Sequence, residues 1–320
     1  AQLGPGVDVT VLDDGFGLAF AASASDAEVV RVAGPWLRVE ERVHEHGAWG
    51  LRHVAAGEDD DALAVRVDAG DARTIVKAGG APLRVSALGG WIGVTPADGR
   101  LRALWTLPPG GPMMPASFGF SRGSRSTQRA RLVPAPESVR AAVRDDGALA
   151  VALKRTGAIW TGVTDAKLSA SGPLVAIDRR GATLGAPSIA TARDGAIVVW
   201  SERAEGAAEW SVVVAAVSGG AVTTHVVGAG MSPSIVALAD GDLVVAYAVG
   251  ASGAHRVVAQ RLAPSLEPRG EAVPISPGEM NAGQPAVAVA ADGRGVVAFF
   301  VADAHDRGAL HATPLACAVR

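Results

Sequence analysis

The chain has 320 residues, 49% of them hydrophobic and 19% charged, with a formal net charge of −3. That balance excludes a disordered chain and gives no electrostatic reason to expect nucleic acid or an anionic membrane as partner. Forty glycines and 19 prolines disfavour long helices and favour short strands joined by tight turns, so the expected class is all-β.

Taken from the N-terminus, Gln2-Leu3 precede Gly4-Pro5-Gly6, and an alternating run leads to Asp14-Gly15 and then to an apolar stretch ending at Phe20. The acidic turn Glu58 to Asp61 precedes a second alternating run, Ala62 to Val67. Asp98-Gly99 is followed by an apolar run reaching Trp105, and Asp146-Gly147 by another. The pattern sharpens after that. Pro187-Ser188-Ile189 leads to Asp194-Gly195 and a run ending at Trp200; Pro233-Ser234-Ile235 leads to Asp240-Gly241 and Tyr247; Pro285-Ala286-Val287 leads to Asp292-Gly293 and Phe299. In these three units the proline stands seven residues before the aspartate. Seven units at a mean spacing of about 46 residues account for the whole chain.

Each unit resolves into four short strands. In the fifth these are expected near 187–192, 196–202, 209–217 and 221–227, with Asp-Gly as a type I′ hairpin between the first two. A four-stranded antiparallel unit of this length, repeated radially, is a β-propeller blade. The expected architecture is one domain, a seven-bladed β-propeller with blades at about 4–46, 47–88, 89–135, 136–184, 185–230, 231–281 and 282–320 plus 1–3. Small and β-branched first strands suit the crowded axis, and the aromatics Phe20, Trp105, Trp200, Tyr247 and Phe299 are expected to pack between blades. The last unit has room for only three strands, so Gln2-Leu3 are expected to pair with it and cover its open edge.

This pattern resembles the seven-bladed repeat propellers of bacterial surface and secreted proteins. The Trp-Asp and Gly-His marks of WD40 blades, periodic kelch double glycines and a sialidase Asp-box are absent, so no residue roles carry over. The resemblance implies an extracytoplasmic location. The charge-free stretch from Ser211 to Ala239 is interrupted by Ser218-Gly219-Gly220 and by Met231-Ser232-Pro233, which makes it strands and turns rather than a membrane span. Cys317 is the only cysteine, so no internal disulfide supports the fold.

Function on a propeller is sought in loops of one face. The segment 107–131 combines a proline-stiffened stretch with Met113, Met114 and Phe118, followed by Arg122, Arg125 and Arg129. Apolar groups on a stiff loop with arginines able to grip carboxylate, sulfate or phosphate make it the expected contact surface. His44, His46 and His53 are the densest histidine group, a weak metal candidate because no fourth ligand accompanies them. Gly119 to Gly123 matches G-x-S-x-G without a following helical pattern and is set aside. Asp26, Asp68, Asp71, Glu202, Glu205, Glu279, Asp303 and Asp306 stand on expected face loops and could include a glycosidase pair. The expectation is a non-catalytic binding or scaffold propeller without a cofactor, engaging a protein or glycan through one face. The alternative is a glycan hydrolase or lyase using face carboxylates or His44 and His46.

Overall fold

The computed structural model describes residues 7–21, 26–46, 48–56, 62–68, 73–77, 83–86, 90–97, 100–106, 113–118, 125–127, 138–144, 146, 148–155, 157–163, 174–193, 195–278, 280–302 and 308–317. Among them there is no helix. The strands form antiparallel sheets in chain order. The first holds β1 (Val7–Val11), β2 (Gly15–Ala21), β3 (Asp26–Ala33) and β4 (Arg38–His46); the second β5 (Ala48–Ala56), β6 (Ala62–Asp68), β7 (Arg73–Lys77) and β8 (Leu83–Ser86). The third holds β9 (Gly90–Ala97), β10 (Arg100–Thr106), β11 (Met113–Phe118) and β12 (Arg125–Thr127); the fourth β13 (Ser138–Val143), β14 (Leu149–Arg155), β15 (Ala158–Val163) and β16 (Val175–Asp178). The fifth contains β17 (Ala182–Leu184), β18 (Ser188–Ala192), β19 (Gly195–Ala204), β20 (Ser211–Ser218) and β21 (Ala221–Ala229). The sixth has β22 (Met231–Ala237), β23 (Leu243–Val249), β24 (Arg256–Leu262) and β25 (Val273–Pro274), and the last β26 (Asn281–Val289), β27 (Arg294–Ala302) and β28 (Gly308–Ala316).

The innermost strands neighbour one another in series: β1 with β5, β5 with β9, β9 with β13, β13 with β18, β18 with β22, β22 with β26, and β26 with β1. Ala182–Leu184 pairs with the far end of β19, so it belongs to the fifth sheet although the boundary expected at 184/185 places it in the fourth unit.

Period-two alternation sends each second strand's side chains to two neighbours. On β19, Ala196, Val198 and Trp200 pack with Ala150, Ala152 and Ile159 of the fourth sheet, whereas Ile197 and Val199 pack with Ile235, Val245 and Tyr247 of the sixth. Phe299 continues the rule against Val244, Ala246 and Val257 of the sixth sheet. Phe20 packs with Ala286, Val296 and Phe300 of the last. Each of these four aromatics therefore fills the gap toward the preceding sheet, as core. Burying one such side chain contributes about 1.5–3 kcal/mol.

Hydroxyls behind the repeated prolines stitch the inner strands together. Ser188 Oγ accepts the Ile235 N–H at 3.3 Å, and one unit later Ser234 Oγ accepts the Val287 N–H at 3.2 Å. The Asp-Gly hairpins differ from the expected type I′ form. Gly241 N–H donates to Leu238 C=O and Gly293 N–H to Ala290 C=O, and only the glycines, at φ +85 and +84, take a positive φ there. This is a type I turn followed by a left-handed glycine, which gives the hairpin its twist with one strained position instead of two. The aspartates earn their place differently: Asp146, Asp240 and Asp292 each accept the backbone N–H two residues on, at 3.0 Å.

Candidate functional site

Inner strands start where second strands end, as the pairing of Met231 with Ala248 and of Gly283 with Phe300 requires. One face therefore carries the ends of second strands, the starts of third strands and the links from one sheet to the next. The opposite face carries the Asp-Gly hairpins, and these are closed by ion pairs. Asp14 meets Arg31 at 2.7 Å, Asp240 meets Arg261 at 2.6 Å and Asp292 meets Arg294 at 2.6 Å. Buried Asp242 joins Arg261 and Arg269 at 2.7 and 2.8 Å. Those charges are occupied in holding turns.

On the first face a cleft of about 400 Å³ lies between the fourth and fifth sheets, lined by Asp178, Arg179, Arg180, Gly181, Glu202 and Ala204. β19 runs on to Ala204, where it pairs with β17, so its last turn of strand forms one wall. Buried Trp200 donates its indole N–H to Glu202 Oε2 at 2.8 Å. Arg179 lies over the Trp200 ring at 5.4 Å and brings Nε within 3.3 Å of the same Glu202 oxygen. Asp178 accepts Arg180 Nε at 2.8 Å and the Arg180 backbone N–H at 3.0 Å. The Arg180 guanidinium, and then its backbone N–H, hold the Asp178 carboxyl below the usual carboxylate range. Farther along the face, Arg203 covers the Trp210 ring at 5.3 Å.

A glycosidase needs one carboxyl free to deliver a proton and a second facing it across the substrate. Here Asp178 is engaged by Arg180, and Glu202 by an indole and a guanidinium. The cleft wall is polar and held in place by these pairs, with the Trp200 ring buried beneath Arg179. At the axial mouth, Ala186, Ser232 and Gln284 are exposed, each directly before a buried proline, and none of them is ionisable.

The residues singled out from the sequence are spread over several sheets. Met113, Met114 and Phe118 do not sit on a loop tip: they belong to β11, which is paired on both sides, Met114 with Trp105 on β10 and Phe118 with Arg125 on β12. The segment reads as an elaborated loop because a methionine-proline strand lacks the usual β-branched residues, yet the ladder forms around it. Arg122, Arg129 and the Gly119 to Gly123 motif lie outside the described residues. His44 and His46 stand two apart on β4, opposite Glu28 and Asp26, while His53 is on β5, opposite Val65. Among the described residues no group of His, Cys, Asp or Glu is placed to hold a metal ion. Asp68 ends β6, and Glu205 follows β19 with its N–H donating to Gly181 C=O. Asp71, Glu279, Asp303 and Asp306 lie outside the described residues. Arg179, Arg180 and the Trp200 indole were missed; the signal available was a core aromatic two residues before an acid on one strand, with one polar edge left to satisfy.

Solved propeller structures match this arrangement. Hydrazine synthase from Kuenenia stuttgartiensis is similar with a TM-score of 0.68 at 15% identity, over 100% of this chain and 97% of that one. The polysaccharide lyase Uly1 is similar with a TM-score of 0.62 at 8% identity, over 99% and 91%. The β-propeller domain of the Trilobed protease from Pyrococcus furiosus gives 0.58 at 11% identity, over 97% and 95%. The chain has a β-propeller fold. No family model and no curated protein matches the sequence, so the likeness is one of fold. No helix among the described residues of this propeller is long and apolar enough to cross a membrane.

Proposed function

We propose that the chain is a non-catalytic binding propeller, extracytoplasmic, which engages a glycan or a protein through the face bearing the cleft and the axial mouth. Its sheets are read as seven blades of one ring, with residues 1–3 completing the last. The observation that carries the reading is the engagement of both cleft carboxylates, Asp178 by Arg180 and Glu202 by Trp200 and Arg179. Polar groups fixed in this way orient a ligand without a spare acid to cleave it. A glycan is the favoured partner, because the exposed residues described at the axial mouth, Ala186, Ser232 and Gln284, carry no charge, and hydroxyl and carboxamide groups suit hydroxyl-rich chains. Met113 and Met114, which open β11 on the same face, with Phe118 and Arg125 at the far end of the strand and with Arg122 and Arg129, form a second proposed contact region.

The competing reading is a glycan hydrolase or lyase using face carboxylates or His44 and His46, and it draws on the fold likeness to a polysaccharide lyase. Affinity gel electrophoresis through neutral and acidic polysaccharides separates the two, with reducing ends and unsaturated products assayed in parallel. Retardation without product formation is expected; product formation would favour the enzyme, and the absence of both retardation and product would overturn the glycan reading.

A further inference from the structure

At the axial mouth, two adjacent inner strands break register at the same level. β22 jumps between Met231 and Ser234, and β26 between Gly283 and Ala286. The bond from Val287 N–H to Ser234 Oγ ties the two strands just beyond the breaks, so the breaks lie side by side. Inside them Ser232 has φ +52 and Gln284 φ +51. A left-handed backbone is unfavourable for a residue with a Cβ, and the following Pro233 and Pro285 restrict these positions further. Glycine would remove that cost, yet the sequence has a hydroxyl in one unit and a carboxamide in the next.

Packing does not explain the choice. Both residues are exposed while both prolines are buried, and a Cβ built at neighbouring Gly283 meets nothing within 4 Å. Neither side chain has a hydrogen-bond partner among the described residues. Non-glycine residues held in rare backbone regions cluster at ligand sites, where the conformation aims a functional group. A serine hydroxyl and a glutamine amide each offer a donor and an acceptor without charge.

We propose that Ser232 and Gln284 form a binding position at the axial mouth for an uncharged, hydroxyl-rich sugar unit of a glycan. The inference rests on the glycan reading of this face and names the part of the face that contacts the chain. A neutral sugar is favoured over an anionic one because the paired side chains supply no cation, whereas the arginines of the cleft are already engaged by carboxylates.

The test uses the full chain and Ser232→Gly, Gln284→Gly and the double variant, run through gels containing soluble arabinan, xylan, galactomannan or polygalacturonate. The expected result is retardation of the unsubstituted protein by a neutral polysaccharide, at least tenfold weaker in the double variant, whose Tm rises because glycine relieves the left-handed positions. Equal retardation of all forms would overturn this site and leave the glycan reading standing. Retardation of none, the unsubstituted protein included, would overturn both. Loss of binding with a lowered Tm would assign the two side chains a structural role and overturn the inference; Ser232→Ala with Gln284→Ala, which keeps the Cβ atoms, should weaken binding without raising Tm.

Discussion

Phe20 and Phe300 meet edge to face, with ring centroids 6.3 Å apart and planes at 69°, across the seam between the first sheet and the last. Residues 280 positions apart in the chain thus share one core with Val7, Phe16, Val296 and Ala298. Such a seam joins the two ends of the repeat by side-chain packing, independent of strand hydrogen bonding. Phe20→Ala or Phe300→Ala should each destabilise the fold by about 3–5 kcal/mol. The double variant should fall short of the sum by about 0.5–1.5 kcal/mol, the worth of the ring pair. Chemical denaturation followed by circular dichroism checks both. Trp36→Ala, at an 87% exposed position, is the control and should stay within about 0.5 kcal/mol.

Hydrogen bonding should reinforce that seam. β28 is the outermost described strand of the last sheet, and an uncovered strand edge recruits other chains. Deleting residues 1–6 is expected to lower Tm and to increase aggregation on heating, measured by light scattering. Unchanged melting and unchanged scattering would show that Gln2 and Leu3 do not cover β28.

The repeat was legible because its prolines and aspartates have fixed jobs. Proline fixes the entry to an inner strand, the serine behind it reaches the next strand, and aspartate closes the hairpin by accepting a backbone N–H. The sixth unit combines all three and its neighbours share part of them, and the strands of the fifth unit were placed to within about two residues, the usual uncertainty of strand ends. The cleft was not legible. Glu202 could be named as a face acid, but its partners Arg179 and Trp200 come from different sheets, and only the packing of β19 against the fourth sheet brings them together. Met113 to Phe118 failed for the opposite reason: composition spoke for a loop, while pairing with β10 and β12 overrode it.

Glu202 is expected to matter for stability through what it satisfies. Glu202→Ala would leave the buried Trp200 indole N–H without its acceptor and Arg179 without its carboxylate, a loss of about 1–3 kcal/mol. Glu202→Gln keeps an oxygen for the indole and should cost less. Tryptophan fluorescence during denaturation follows the site directly, and equal effects of the two substitutions would mean that charge, not the indole bond, dominates.

Burial pushes the Cys317 thiol above its ordinary pKa; Arg261 nearby acts against this and Asp240 with it. The thiolate is the reactive form, so alkylation by iodoacetamide at pH 7.5 should be markedly slower in the folded protein than in denaturant. Comparable rates would place the sulfur in open solvent.

Acid should weaken the protein at two sites on opposite faces. The Arg294 side chain, then its backbone N–H, lowers the Asp292 pKa, and Arg180 does the same for Asp178. A carboxyl whose folded pKa lies below its unfolded value of about 3.9 favours folding fully above that value. The contribution fades as pH falls toward and through the folded pKa, because the unfolded chain takes up the proton first. Tm measured between pH 6 and pH 2 should therefore drop below about pH 4, and Asp178→Asn with Asp292→Asn should flatten that part of the curve while leaving its shape above pH 5 unchanged. Both pairs are solvent-exposed, so the effect should be small and should shrink further in 0.5 M salt. Parallel curves for the double variant and the unsubstituted chain at low salt would show that these two ion pairs do not contribute to folding.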